Sequence, residues 1–195
     1  MRALGAKLAW GLATWTMWAS ASAVPLPDFR NYPAVSRDTG KPARVVIASP
    51  DERLFRTRLR DAVSYPADFA GGWVLARWGC GGNCLHGAAV ERRSGRVVFL
   101  PGSVCCWMGS PTDAKLLYRR DSRLLIARGL INESERYGTF YYEFTGRAFR
   151  LLRFVPADRD AHWRQAGEII RKNLREADLA DERRRLKSRL EGQPL

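Results

Sequence analysis

Short apolar runs separated by turn residues fill the middle of the chain, and their order occurs twice. Each unit has a strand, a long loop, a second strand, a tight glycine turn and a third strand. Trp73 and Leu124 open the two units, 51 positions apart. The predicted strands are 73–79, 85–92 and 96–100 in the first unit, and 124–130, 138–144 and 148–154 in the second.

Each unit predicts a three-stranded antiparallel meander, and the segment 101–122 joins the two. Two units of this size cannot close a propeller ring. We therefore expect a mainly β domain over residues 43–156, folded as one twisted sheet or a small sandwich with a 51-residue internal repeat. The apolar run 44–49 is a further strand candidate.

Helical spacing occurs on both sides of this β region. Between Asp51 and Val63, apolar residues recur every three to four positions, which predicts a short helix that ends before Pro66. Residues 157–190 lack proline and show the same spacing before they become highly charged. They predict a C-terminal α-helix, amphipathic in its first half. The proline-rich residues 24–42 predict an extended leader.

The first 23 residues have the three zones of a secretory signal peptide. Arg2 and Lys7 precede an uncharged, mostly apolar run, and alternating alanine and serine follow at 19–23. We expect cleavage after Ala23 and a mature protein that is periplasmic or secreted. The alternative is an uncleaved anchor, since the run 8–24 is close to the shortest length that spans a bilayer. After cleavage, the sequence predicts no membrane span.

The charge of the chain narrows the possible classes of partner only in part. The chain carries 33 basic and 20 acidic residues, for a net charge of +13. Most of the excess lies in residues 73–156, and nearly all of it is arginine, as in proteins from GC-rich genomes. No nucleic-acid-binding motif accompanies it, so we expect no nucleic-acid partner. An anionic envelope component, such as lipopolysaccharide or the carboxylates of peptidoglycan, remains open as a partner, as does another envelope protein.

Four cysteines are predicted to gather at one end of the first meander. Cys80 and Cys84 lie in the loop after the first strand, and Cys105 and Cys106 follow the third strand, which returns to that end. An even number of cysteines in an oxidising compartment predicts two disulfide bonds. Three pairings are open. The pairing that joins Cys105 to Cys106 is the least favoured, because adjacent residues close a small, strained ring.

Two other kinds of site are open for the same cysteines. A metal site would combine thiolates with His86, but the spacing fits no zinc motif, so we expect no metal and no cofactor. A thiol-dependent redox protein or enzyme would use the Cys80–Cys84 loop with His86. The C-x-x-x-C spacing differs from the C-x-x-C of thiol oxidoreductases. Elsewhere no catalytic motif is found, so we assign no catalytic residue.

Aromatic residues, with His86, supply the candidate binding surface. They concentrate beside the cysteines and in the second unit, where strand alternation places neighbouring tyrosines on opposite faces. The candidates are Trp73, Trp78, His86, Trp107, Tyr141 and Tyr142. This pattern favours a non-catalytic binding or interaction protein, with the thiol-dependent protein as the alternative.

The motifs of the first unit resemble those of a family of small exported proteins of Gram-negative bacteria. The resemblance covers roughly residues 52–152. It implies an exported β-rich domain and no particular activity. This chain has Gly72-Trp73 where members often carry a histidine or aromatic residue followed by an aromatic. The matching residues are Phe69-Ala70-Gly71, Trp78-Gly79-Cys80-Gly81, Cys84, Ser94-Gly95 and Asp121-Ser122-Arg123-Leu124-Leu125.

Overall fold

The structure is a computed structural model that describes residues 24–35, 40–107 and 114–191. The predicted signal peptide, residues 1–23, lies outside the described residues. No helix in the described ranges has the length and apolar character needed to cross a membrane.

Eight strands form the sheet of the described domain. The strands are β1 (Trp73–Gly79), β2 (Cys84–Glu91), β3 (Val97–Phe99), β4 (Val104–Cys105), β5 (Leu116–Tyr118), β6 (Leu124–Ile131), β7 (Gly138–Phe144) and β8 (Phe149–Pro156). The α-helices are α1 (Pro50–Leu54), α2 (Arg56–Ala62) and α3 (Arg159–Glu191), and a short 3-10 helix covers Phe29–Asn31.

The strands form one open antiparallel sheet, which confirms the prediction of a mainly β fold. Its order is β1-β2-β4-β6-β7-β8, with β3 paired to β2 and β5 paired to β6 beside that path. The short strand β4 joins the two halves, because it pairs with β2 on one side and β6 on the other. The 51-residue repeat stays a prediction, as does the packing of an amphipathic C-terminal helix on the sheet.

Both halves of the sheet contribute to one apolar cluster on its inner face. Phe69 lies 5.2 Å from Phe144 between ring centroids, and Trp73 lies 4.7 Å from the same ring. All three side chains are almost completely buried. Because residues of β1 and β7 meet in this cluster, the sheet curves around it. On the outer face of the first half, Leu59 of α2 packs in a second cluster with β1 and β2.

The segment before the sheet differs from the prediction in two places. Residues 44–49 form no strand; instead, the amide of Val46 donates to the carbonyl of Gly95 over 2.8 Å, so the segment is tethered to the β2–β3 turn. The predicted helix over 51–63 is present as two short helices that break at Phe55. Ser49 and Glu52 start the first of these with a reciprocal capping box.

The leader is docked along the sheet. Its Pro33 forms a β-bridge with Ser122, and the amide of Arg123 donates to the carbonyl of Tyr32 over 2.7 Å. The Ser122 hydroxyl is within 2.9 Å of the carbonyl oxygens of both Phe29 and Tyr32. Residues 29–34 therefore reach the start of β6, and they form one wall of the cleft described below.

Candidate functional site

The four cysteines lie together at one end of the sheet, as the sequence predicts, and form two disulfides. The pairs are Cys80–Cys84, with Cα atoms 5.1 Å apart, and Cys105–Cys106, with Cα atoms 3.7 Å apart. The ranking of the pairings was wrong, since the adjacent pair is the one that forms. Cys106 adopts a left-handed backbone conformation, with φ of 67°, directly after the two-residue strand β4.

Cys84 and Cys105 nevertheless face each other directly. They are opposite residues in the antiparallel pairing of β2 with β4. Gly129 of β6 fits closely against this segment, because a Cβ atom there would collide with the carbonyl oxygen of Cys105. The cysteine segment is thus held between β2 and β6.

His86 lies in an aromatic cluster that we define by Phe55, Trp78, His86 and Phe99. It is directly opposite Trp78 in the β1–β2 pairing, with ring centroids 5.5 Å apart. Its ring stacks on Phe99 at 6.0 Å, and Phe55 closes the cluster at 5.9 Å. Trp78 Nε1 and His86 Nδ1 are buried, and neither has a hydrogen-bond partner among the residues that the structure describes. Trp78 and His86 were predicted from the sequence as site residues, whereas Phe55 and Phe99 were not.

Trp107 lies beside the cysteine pairs. Its ring stacks on Tyr137 at a centroid distance of 5.7 Å, and the Arg128 guanidinium lies 5.6 Å from the ring centroid. Tyr137 belongs to a small buried cluster with Cys105, against which Trp107 packs.

The six candidate surface residues do not form one surface. Trp73 and Trp78 are 4% and 5% exposed, and Tyr141 and Tyr142 are 8% and 6% exposed, so these four side chains belong to the interior. His86 and Trp107 are partly exposed and lie in the two different environments described above. Trp73 and Tyr142 belong to the inner-face cluster, and Trp78 belongs to the cluster that α2 covers.

A separate polar cleft of about 980 Å³ lies between the leader, the loop before β1 and the segment after β5. We name it the Asp68 cleft. The loop is fixed by paired backbone hydrogen bonds of 3.0 Å between Phe69 and Trp73. It turns through Ala70 and Gly71, whose φ angles of 44° and 85° are both left-handed. The Gly71 amide then donates to the carbonyl of Arg120 over 2.6 Å, which joins the loop to the far wall.

Asp68 links the edge of the sheet to β5. Its Oδ1 accepts a 2.8 Å hydrogen bond from the amide of Leu75, and its Oδ2 accepts one of 3.1 Å from the hydroxyl of Tyr118. Burial, followed by the negative charge of Asp68, raises the pKa of Tyr118 to about 12, although the Arg77 guanidinium opposes this shift. The phenol therefore stays protonated and donates to the carboxylate.

The cleft is lined by two arginines and two aspartates, and Arg77 beside it adds one further positive charge. Arg119 makes a two-point ion pair with Asp121, at 2.8 and 2.6 Å, and its hydrogen bonds lower the pKa of that carboxyl group. Arg120 lines the cleft, and the guanidinium of Arg77 lies 5.3 Å from the centroid of the Tyr118 ring. Among the described residues, no carboxylate is within ion-pair distance of Arg77 or Arg120. Both carboxylates of the cleft are already engaged.

Sequence reasoning missed this cleft. Asp68 directly precedes the Phe69-Ala70-Gly71 motif, and Tyr118 to Asp121 lie in the segment between the two meanders. Two features of the sequence could have indicated the cleft. One is the carboxylate of Asp68 beside the Phe69-Ala70-Gly71 motif, and the other is the Tyr-Arg-Arg-Asp run that begins at Tyr118.

Comparison of the chain with protein-family models, with curated proteins and with solved structures finds no match in any of the three. Within the described ranges, no group of three or more histidine, cysteine or acidic residues is arranged to hold a metal ion.

Proposed function

We propose that this protein is a non-catalytic binding protein of the cell envelope, whose partner carries phosphate or carboxylate groups and binds in the Asp68 cleft. The observation that carries the proposal is a pair of guanidinium groups, Arg120 in the lining of the cleft and Arg77 beside its Tyr118 ring, neither of which has a carboxylate within ion-pair distance among the described residues.

The chemistry of these side chains suits an anion. A guanidinium presents a planar set of N–H donors, and its hydrogen bonds to phosphate or carboxylate are about twice as strong as neutral ones. Tyr118 contributes an aromatic ring to the cleft, and the net charge of +13 attracts anionic surfaces over longer distances. Since no carboxylate must be displaced from Arg77 or Arg120, an anionic group gains these contacts without breaking an internal ion pair.

The proposed location is the periplasm or the space outside the cell. It is supported by the signal-peptide pattern of residues 1–23 and by the two disulfides, which persist in oxidising compartments. The resemblance to exported proteins of Gram-negative bacteria is part of the same proposal.

The test is a binding assay on the mature protein, residues 24–195. Its ligands distinguish a phosphate-bearing partner from a carboxylate-bearing partner. Lipopolysaccharide vesicles present phosphate, purified peptidoglycan presents carboxylate, and phosphatidylcholine vesicles serve as the uncharged control. We expect binding to one of the anionic ligands and none to the control. Equal retention by all three, or by none, would refute an anion-binding function.

The thiol-dependent protein is the second candidate, favoured by one observation. Cys80 of the Cys80–Cys84 disulfide is exposed at the tip of the β1–β2 loop, where another thiol can reach it. The sequence predicted that His86 would act together with this cysteine loop. In the structure its ring packs in the aromatic cluster with Phe99 and Trp78. A redox function predicts that Cys84→Ser abolishes an activity while the melting temperature stays nearly unchanged. A purely structural disulfide predicts a clear drop in melting temperature.

The internal repeat and the C-terminal helix are also part of the proposal. We propose that the two meanders arose from one duplicated unit, since β1 and β6 begin 51 residues apart, and that residues 157–190 act as a helix with an amphipathic first half. An experimental structure of the mature protein tests both. The β1–β2–β3 and β6–β7–β8 units should superpose strand for strand.

A further inference from the structure

We propose that the two disulfides form a thiol–disulfide exchange site with a second stable pairing, in which Cys84 bonds to Cys105 and Cys80 bonds to Cys106. The reactant is a small thiol, which opens Cys80–Cys84 and is regenerated at the end. This inference is independent of the anion-binding cleft.

Strand register places one of the new pairs in bonding position. Cys84 and Cys105 are opposite residues of antiparallel β2 and β4. Opposite residues in such a pair have Cα atoms about 4.5–5.5 Å apart. That separation falls inside the range of about 4.4–6.8 Å that disulfides span. The Cys84–Cys105 bond therefore requires rotation of side chains and no movement of either strand.

Accessibility decides where exchange begins. Cys80 is exposed, Cys84 and Cys106 are partly buried, and Cys105 is 3% exposed. An external thiolate therefore attacks Cys80 and expels the thiolate of Cys84. Lys115 donates from Nζ to the carbonyl of Asn83 over 2.7 Å, so a positive charge is held on the residue next to Cys84. A nearby cation favours the thiolate form.

The exchange then follows in three balanced steps. A thiolate RS⁻ bonds to Cys80 Sγ, the Cys80–Cys84 bond breaks, and Cys84 leaves as a thiolate. Cys84 Sγ attacks Cys105 Sγ, which breaks Cys105–Cys106 and releases the Cys106 thiolate. Cys106 Sγ attacks Cys80 Sγ in the mixed disulfide and expels RS⁻. Two disulfides are present before and after, so no oxidant or reductant is consumed.

The two pairings differ in what they constrain. Cys80–Cys84 and Cys105–Cys106 each close a local loop, with sequence separations of 4 and 1. The second pairing joins β2 covalently to β4, the strand that connects the two halves of the sheet. Closing a longer loop removes more freedom from the unfolded chain, so the second pairing should unfold at a higher temperature.

Peptide mapping distinguishes the two pairings, because trypsin cuts between the cysteine pairs. Cleavage after arginine and lysine gives a peptide 78–92 with Cys80 and Cys84 and a peptide 97–115 with Cys105 and Cys106. The mature protein is incubated without air, with or without substoichiometric glutathione, then quenched in acid, alkylated and digested. We expect two separate peptides without the thiol and a growing cross-linked pair with it. Cross-linked peptides before thiol addition, or separate peptides throughout, would overturn the proposal.

The variant Cys80→Ser tests the central step without any added thiol. It leaves Cys84 as a permanent thiol opposite Cys105, so we expect the two peptides to become cross-linked spontaneously while Cys106 becomes available for alkylation. The matched variant Cys105→Ser/Cys106→Ser retains Cys80–Cys84 and should give no cross-link. Alkylation of Cys84 in Cys80→Ser, with Cys105–Cys106 intact, would contradict the exchange.

Discussion

Tyr118 illustrates how single residues set the chemistry of the Asp68 cleft. Its hydroxyl donates to Asp68, while Arg77 lies on its ring. Burial, the Asp68 charge and the hydrogen bond all hold the phenol in its neutral form, and Arg77 acts in the opposite direction. The titration of one tyrosine therefore reports on the two charged neighbours that define the site.

We expect Asp68→Asn to lower the pKa of Tyr118 from about 12, because the negative charge that disfavours the phenolate is removed. The pKa should stay above its ordinary value of 10.0, since burial is the largest cause of the shift and persists in the variant. Arg77→Gln should raise the pKa further, because a charge that favours the phenolate is lost. Absorbance titration of the phenolate in the three proteins measures these shifts.

Tyr118→Phe identifies the absorbance change that belongs to Tyr118. It also tests how the titration of this phenol changes the free energy of unfolding. A group whose pKa is higher in the folded state than in the unfolded state stabilises the fold. This contribution is complete at pH values below the pKa of the unfolded state. That contribution is lost as the pH rises through about 12. The wild type should therefore lose more stability than Tyr118→Phe between about pH 10 and pH 12. Identical curves would show that Tyr118 titrates as a free phenol.

At the scale of elements, one buried hydroxyl adds to the backbone hydrogen bonds that hold the leader at the start of β6. Ser122 is 1% exposed, and its Oγ donates to the leader carbonyls of Phe29 and Tyr32 while accepting from the amide of Leu124 over 3.1 Å. The leader carries Pro33 and Ala34 into the wall of the cleft. Order in the leader is thus required for the shape of the site.

We expect Ser122→Ala to destabilise the protein by about 1–3 kcal/mol, because the buried hydroxyl loses its hydrogen bonds to two leader carbonyls and from the Leu124 amide. The amides of residues 29–34 should exchange with deuterium faster, while those of β2 and β7 remain protected at least until global unfolding. Ser134→Ala, at a partly buried site for which no side-chain hydrogen bond is found among the described residues, is the control. Equal exchange in Ser122→Ala and the wild type would show that the leader is held by other contacts.

The strands of the sheet were largely predictable from the sequence, whereas the segment 44–49 and the disulfide pairing were not. The six strands of the two meanders were found because each combines a local apolar run with turn residues at its end, such as Ser94-Gly95. Residues 44–49 have the apolar run of a strand, yet they meet a turn and not another strand. The disulfide pairing was also missed, because it depends on how Cys106 turns after a two-residue strand, and no apolar pattern records that conformation.

At the scale of the whole molecule, the cleft joins segments that are distant in the sequence. The leader, the loop before β1 and the segment after β5 come together because the leader pairs with Ser122 just before β6 and the loop bonds to Arg120. A local pattern cannot predict such a site, because none of these segments alone carries it. Only the structure shows that, among the described residues, neither Arg77 nor Arg120 has a carboxylate within ion-pair distance, since Asp121 pairs with Arg119 and Asp68 accepts from Leu75 and Tyr118.

The most direct test of the anion-binding account is the affinity of Arg77→Gln/Arg120→Gln for whichever anionic ligand the wild type binds. Hydrogen bonds to charged groups contribute about 1.5–3 kcal/mol each, so we expect the affinity to fall at least about tenfold. Arg58→Gln/Arg147→Gln removes the same charge from exposed positions that do not line the cleft, and should change the affinity less than about twofold. If both double variants weaken binding equally, net charge and not the Asp68 cleft would be responsible, and the account would be wrong.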